Sequence, residues 1–417
     1  MDPPSETAYY EPLSAPRPPK IVDPPEQAAR RIHILGTGSI GILIAHSLRG
    51  ISNPPAVTLL MHRVGKARQW LRGSEEIKLV TQGQTEARSG FDWEYAIPMW
   101  RRHGRAEKYH ERIKEAEEPS HSEEFSLNAT SPISNLIVSV KAQQTVSALL
   151  SIKARLTPQS TILFMQNGMG IIDEVNKEVF PDPESRPHYM LGINSHGVHS
   201  QQDFVATHAG FGTIALGLPP RPSRPPSPTG EESTAFSGIE MAPSSRYLLR
   251  TLSSVPVLAA VGFAPIELFK AQLEKLAMNS ILNPLTALMD CRNGALLYNF
   301  ANTRTMRLLL SEISSVYIRL PELEGLPNVN TRFSSERLET LVVGVANKTA
   351  ANVSSMLADI RAGRQTEIDY INGYVVKRGE ELGITAGFNY MLCQLVKGKQ
   401  NIVQRDDDES VPFVTKR

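Results

Sequence analysis

Through residue 30 the chain is proline-rich and poor in apolar residues; at Arg31 its character changes. RIHIL (31–35) is a short β-branched apolar run, GTGSIG (36–41) follows, and ILIAHSLRG then spaces its apolar residues as a helix does. The order is strand, glycine turn, helix. AVTLLMHR (56–63) repeats the buried-strand pattern and completes a βαβ unit. NLIVSVK (135–141) and STILFMQNG (160–168) predict two more strands, and QTVSALLSIKARL between them predicts the helical crossover that parallel strands require. HYMLGINSHGVHS and FVATHAGFGTIALG predict further β segments that close this domain near residue 217. Residues 66–134 read as a polar insertion, with both charge signs mixed over 101–124. Residues 218–246 are Pro/Ser-rich and predict a low-complexity linker. Beyond it the period turns helical, with candidate helices at 246–260, 266–290, 301–319, 334–358 and 367–382 and no alternating strand pattern. The expected outline is a disordered leader (1–30), an α/β domain with a doubly wound parallel sheet (31–217), the linker, an all-α domain (247–403) and a disordered tail (404–417).

Composition narrows the function classes. The 417 residues carry 44 Lys+Arg against 43 Asp+Glu, so the net charge of +1 provides no overall basic field for nucleic acid. The 41% hydrophobic content is too high for a wholly disordered chain. No run reaches the ~18 apolar residues that span a bilayer. The two cysteines, Cys291 and Cys393, stand far apart without CxxC spacing, which fits a reducing compartment and argues against a disulfide framework. Asp2, Glu6 and Glu11 argue against a transit peptide. A cytoplasmic location is expected, with a mitochondrial one as the alternative.

Candidate chemistry begins at Gly36-Thr37-Gly38-Ser39-Ile40-Gly41. A bare GxGxxG carries little weight, but this one follows a strand and opens a helix. There the glycines allow a tight turn, close approach of a pyrophosphate and close helix–strand packing. The end of the second strand declares which dinucleotide is bound. An acid there accepts the ribose hydroxyls of NAD, whereas an arginine suits the 2′-phosphate of NADP. This chain has His62, Arg63, Lys66 and Arg68 and no acid, so Arg63 predicts NADP(H). Lys141 and Asn167 fall at the carboxyl ends of predicted parallel strands, where open α/β sheets bind ligands. In the helical half, Lys275, Asn279 and Asn283 recur every four residues and share one helix face. Leu276, Met278, Ile281 and Leu282 between them are apolar, so this polar stripe would be costly to desolvate without a polar ligand. Pro284 should break or kink the helix and free a nearby carbonyl. His196 and His199 lack a third ligand of suitable spacing, and no metal is expected.

These residues resemble the ketopantoate reductase (2-dehydropantoate 2-reductase) family. The resemblance runs over about residues 31–400 and rests on ILGTGSIG, VKAQQ, QNGMG, KLAMNSILNPLTALMDCRNG and SSMLADIRAGRQTEIDYINGYVV. It implies a Rossmann domain joined to a helical domain of the 6-phosphogluconate dehydrogenase type, with NADPH and a small 2-keto acid in the cleft between them. It makes Lys275 the catalytic acid and Asn279, Asn283, Asn293 and Ser355 substrate contacts. Asn167 and Lys141 fall on positions that touch cofactor and substrate, Arg63 on the 2′-phosphate contact, and Glu367 on the acidic position beside the nicotinamide half, where it joins Lys275 in the catalytic pair by orienting Lys275 or the cofactor's ribose. The leader and the two insertions are extra to the family pattern. The expected activity is NADPH-dependent reduction of 2-dehydropantoate to pantoate in pantothenate synthesis, with a homodimer as the candidate assembly. The alternatives are a reductase of another branched 2-keto acid and a non-catalytic NADPH-binding protein.

Overall fold

The computed structural model describes residues 25–96, 131–220 and 241–409. Most of the predicted leader, the 101–124 stretch, most of the 218–246 linker and the last eight residues lie outside them.

Two sheets and a set of helices make up the fold. The main sheet has eight strands: β1 (Ile32–Leu35), β2 (Val57–Met61), β5 (Asp92–Tyr95), β6 (Asn135–Val138), β7 (Thr161–Phe164), β8 (His188–Asn194), β11 (Ile214–Gly217) and β12 (Ala260–Gly262). Their order is β12-β11-β8-β7-β6-β1-β2-β5, and every pair is parallel except β8 with β11. Successive strand residues enter different cores. Ile34 and Leu59 pack in one cluster, while their neighbours Leu35 and Leu60 pack in another. Both faces are therefore covered, and this is why the strands read as unbroken apolar runs. The chain runs from β1 to β2 on one side and from β6 to β7 and β8 on the other. The topological switch point, where open α/β sheets bind ligands, thus lies between β1 and β6.

The region from 66 to 95 is a correction to the predicted insertion. It folds as α3 (Val64–Arg72), β3 (Ile77–Thr81), β4 (Gln84–Arg88) and the edge strand β5. The β3–β4 turn is Gln82-Gly83, with φ of 50° and 80°, as a two-residue hairpin turn of the primed type demands. With β9 (Gly197–Gln202) and β10 (Val205–Gly210) this hairpin forms a second sheet, ordered β4-β3-β10-β9, and the pairing of β3 with β10 is non-local, so no local pattern announced it. That sheet packs on α2 (Ser39–Arg49), whose other side faces β1 and β2. Sandwiched in this way, α2 is buried from Gly41 through Leu48, including His46. Burial, reinforced by the Arg88 guanidinium, pushes the His46 pKa down to about 4.

Other boundaries also move. The end of the predicted leader is a short helix, α1 (Pro25–Arg30), held where Asn135 Nδ2 donates to the Ala29 carbonyl and Tyr247 Oη to that of Arg30. The predicted helix 246–260 is α6 (Pro243–Ser253) followed by the small strand β12, where Val255-Pro256 stops the helix. The predicted 334–358 helix divides into α9 (Ser335–Lys348) and α10 (Ser355–Arg361), each started by a serine cap, Ser334 and Ser354. The 367–382 segment begins as a single 3₁₀ turn and becomes α11 only at Asn372–Glu381. The final helix, α12 (Gly387–Glu409), runs through residues 404–409 that were expected to be tail; Asn389, Leu392, Cys393, Val396 and Gln400 are its buried stripe.

Pro284 does not break its helix, but it does free the nearby carbonyl expected of it. Helix α7 (Pro265–Met289) passes through it unbroken. Pro284 has no N–H for the Ser280 carbonyl, and that freed acceptor instead receives Asn372 Nδ2 from α11 at 2.9 Å. Asn372 is fully buried, so a side chain brought by tertiary packing replaces the missing backbone donor.

Candidate functional site

The glycine turn sits at the switch point and each glycine has a separate reason. Gly36 ends β1 with φ +110°, and a Cβ there would lie 2.7 Å from the Val140 amide nitrogen. Gly41 faces Gly36 and Ser139, and its Cβ would lie 2.7 Å from Ser139 Oγ. Ser139 Oγ itself donates to the Gly36 carbonyl at 2.7 Å, tying β6 to the turn. Gly38 differs: a Cβ there would meet nothing within 4 Å. It is the N-cap of α2, and among the described residues no side-chain cap is made there. The turn is therefore packed tight at both ends and open in the middle, with uncapped helix N–H groups beneath the opening. Thr37 is buried, while Gly38, Ser39 and Ile40 are exposed or half-buried. This is the cradle a phosphate group needs.

Arg63 caps α3 at the tip of β2 and is exposed. Lys66, one turn later, turns back toward the glycines and donates to the Thr37 carbonyl at 2.8 Å.

Across the cleft, α7 presents the predicted stripe. Pro265 starts the helix at a position where a missing N–H costs nothing, and Glu267 complements the dipole in the first turn. Ten residues on, Lys275 leaves the helical half and donates to Asn167 Oδ1 at 2.9 Å and to the Asn194 carbonyl at 2.8 Å, both in the α/β half. Those two acceptors leave one of its three N–H groups without a partner among the described residues. Desolvation lowers the Lys275 pKa to about 8, and the Glu367 carboxylate opposes that shift. Lys275, Asn279, Asn167, Gln166, Gly192 and Ile193 line one small cavity.

Glu367 is buried but makes no hydrogen bond to Lys275. It accepts from the Ala142 amide at 3.0 Å and pairs with Lys141 Nζ at 3.4 Å. Asp359, which no sequence reasoning singled out, pairs with the same Lys141 at 2.7 Å. Burial alone would lower the Lys141 pKa, but the Glu367 and Asp359 carboxylates outweigh it and hold the pKa above its ordinary value. Lys141 therefore acts here as a bridge between the two halves. Tyr370 adds to the junction: its carbonyl accepts from the Met169 amide at 2.8 Å and its hydroxyl donates to Glu174 at 2.8 Å. Gly168, with φ +84°, lies directly against the Tyr370 backbone and leaves no room for a side chain.

Three predicted substrate contacts stand outside the cavity. Asn283, one turn beyond Asn279, is buried, with no side-chain hydrogen bond among the described residues. Asn293 is buried; its Nδ2 donates to Thr349 Oγ1 at 2.9 Å while its Oδ1 has no partner among the described residues. Ser355 is exposed in the first turn of α10, beside the capping Ser354, which accepts from Thr286 Oγ1. His196 pairs with His208 at 3.0 Å, and not with His199. Among the described residues no cluster of three or more His, Cys, Asp and Glu could hold a metal ion, and no helix is long and apolar enough to cross a membrane.

Comparison with known proteins agrees with this arrangement. Residues 32–221 match the family model described as ketopantoate reductase PanE/ApbA, and residues 267–400 match its C-terminal counterpart. The protein of Schizosaccharomyces pombe named "Probable 2-dehydropantoate 2-reductase" is 30% identical over 379 residues, 88% of this chain and 96% of that one. The 2-dehydropantoate 2-reductase of Saccharomyces cerevisiae is 26% identical, over 85% and 89%. Among solved structures, the "Probable 2-dehydropantoate 2-reductase" of Bacillus subtilis superposes with a TM-score of 0.59 at 25% identity, covering 88% of this chain and 99% of that one. A glycine cradle at the switch point, a lysine reaching Asn167 and Asn194 of the α/β half from a helical second half and matches across both halves lead to one conclusion: this chain belongs to the ketopantoate reductase family.

Proposed function

We propose that the chain is an NADPH-dependent 2-dehydropantoate 2-reductase, reducing the C2 ketone of its substrate to the alcohol of (R)-pantoate. The observation that carries this reading is Lys275, a desolvated ammonium fixed by two acceptors, with a third N–H free beside a cavity that Asn279 also lines. A dinucleotide fits the residues present, because the opening over Gly38 is space that a side chain would fill. Bound there, NADPH would supply the hydride. The α/β half would bind it through the turn Gly36, Thr37, Gly38, Ser39, Ile40 and Gly41, with Arg63 pairing the 2′-phosphate and Lys141 and Asn167 near the reacting end.

The helical half would do the proton chemistry. Lys275 donates its proton to the ketone oxygen as negative charge develops there, and the remaining ammonium hydrogen bonds hold the side chain still. A pKa near 8 suits this task, since the group is mostly protonated at neutral pH yet gives up its proton more readily than an ordinary lysine. Glu367 favours the charged form of Lys275 across the site. Asn279, Asn283, Asn293 and Ser355 would hold the substrate's hydroxyl and carboxylate, so that C2 presents one face. The unpaired Oδ1 of Asn293 supports its part in this. The test is NADPH oxidation by purified protein with a panel of branched 2-keto acids. Preference for 2-dehydropantoate supports the reading; preference for another acid moves the substrate, and tight NADPH binding without any oxidation removes the activity.

A further inference from the structure

Lys66 occupies an unusual place. It lies in the first turn of α3, three residues after Arg63, and its side chain reaches across to the glycine turn. Nζ donates to the Thr37 carbonyl at 2.8 Å and pairs with Asp203 at 2.8 Å. The ammonium also stands 5.0 Å from the centre of the Phe204 ring. Asp203 and Phe204 form the two-residue turn between β9 and β10 in the second sheet, with Phe204 at φ +62°. That turn is pinned from α3 itself, because the ring of Trp70, four residues after Lys66, packs against Phe204 with centroids 4.7 Å apart. The position of Lys66 is thus set by three contacts from two elements, and its side chain is only 12% exposed.

Two of the three ammonium N–H groups are used. The third has no partner among the described residues, and it belongs to a cation lodged against the second residue of the glycine turn. Arg63 is near enough that its charge, after burial, helps to lower the Lys66 pKa, and Arg63 makes no ion pair among the described residues. Two cations stand near the tip of β2 beside a phosphate cradle, and among the described residues the only carboxylate paired with either is the exposed Asp203 on Lys66, which leaves a net positive charge there. An anionic group would complete that arrangement.

We propose that Lys66, held in place by Asp203, is a specificity-determining residue that reads the 2′-phosphate of NADPH together with Arg63. The proposal rests on the NADPH reading above and deepens it. Asp203 has two opposed effects: it orients the ammonium, and its negative charge competes with the phosphate. Its charge and its hydrogen bond can therefore be separated by substitution.

The test uses the full chain with 2′,5′-ADP and 5′-AMP, which differ by the 2′-phosphate and need no catalysis, in titration calorimetry. Lys66→Met should weaken 2′,5′-ADP about tenfold while leaving 5′-AMP within about twofold, as expected for loss of one charge-assisted contact. Lys66→Arg should restore most of the difference. Asp203→Asn keeps an acceptor but removes the competing charge, so it should tighten 2′,5′-ADP by about two- to fivefold. Equal weakening of both nucleotides in Lys66→Met would show that Lys66 only props the turn and would overturn the proposal. So would no weakening of either, or a loss of 2′,5′-ADP affinity in Asp203→Asn. Wild-type protein that binds both nucleotides equally would instead refute the NADPH reading itself.

Discussion

Substitution of Lys275 by methionine should separate the chemistry of the site from the stability of the fold. Methionine keeps the unbranched stem and removes the charge. The free-enzyme pKa of Lys275 stands at about 8, against an ordinary 10.5. At 1.36 kcal/mol per unit, burying this ammonium costs about 3 kcal/mol, an upper figure because part of the side chain lines the cavity. The folded state holds the proton less tightly than the unfolded state. The penalty is therefore fully present below pH 8 and is relieved as pH rises from about 8 to 10.5. Lys275→Met removes the penalty but leaves Asn167 Oδ1 and the Asn194 carbonyl without their donor, a loss of about 1–3 kcal/mol for each acceptor. The two effects offset, so its stability at pH 7, measured by urea unfolding, should stay within about 3 kcal/mol of that of wild type. Turnover should fall by about 10²–10⁴-fold. For wild type, kcat/KM should decline above an apparent pKa near 8, because the protonated amine is the acid in the direction of ketone reduction. The variant should lose that limb while binding NADPH with little change. Turnover within tenfold of wild type, or an unchanged alkaline limb in Lys275→Met, would refute the assignment.

Three further outcomes follow from the same geometry. Arg63→Ala should reduce the preference for NADPH over NADH by about tenfold or more, read from the ratio of kcat/KM values; an unchanged ratio would make Arg63 a bystander. Gly38→Ala has room in the free protein, so its melting temperature should hold while NADPH affinity drops at least tenfold, whereas Gly41→Ala, crowded by Gly36 and Ser139, should lower the melting temperature. Equal behaviour of the two would contradict the open cradle. Asn372→Ala should cost about 1–3 kcal/mol by leaving the Ser280 carbonyl unpaired, and adding Pro284→Ala, which restores a backbone donor, should recover part of that loss in denaturant unfolding.

How much of this was legible in the chain depends on how far apart the partners are. The glycine turn was readable because strand, turn and helix are contiguous, and the three glycines act within six residues. Lys275, Asn279 and the burial of α7 were readable because a helix turns spacing in sequence into a face in space. The β3–β4 hairpin, by contrast, had a readable alternation in IKLVTQGQTEAR, with Ile77 and Leu79 buried, but its polar outer face concealed it inside a supposed insertion.

Other features were settled only by tertiary structure. Helix α7 survives Pro284 because Asn372, nearly ninety residues away, supplies the missing donor. Lys141 is a bridge because Asp359 and Glu367 arrive from the helical half, and Lys275 is oriented by a backbone carbonyl at Asn194, which no side-chain identity could signal. Lys66 faces the glycines because a second sheet brings Asp203 beneath it. Local sequence determines periodicity, turn chemistry and which residue types share a face. Which buried charge meets which partner is decided by non-local packing, where desolvation leaves each polar atom to be satisfied by whatever the fold brings within reach.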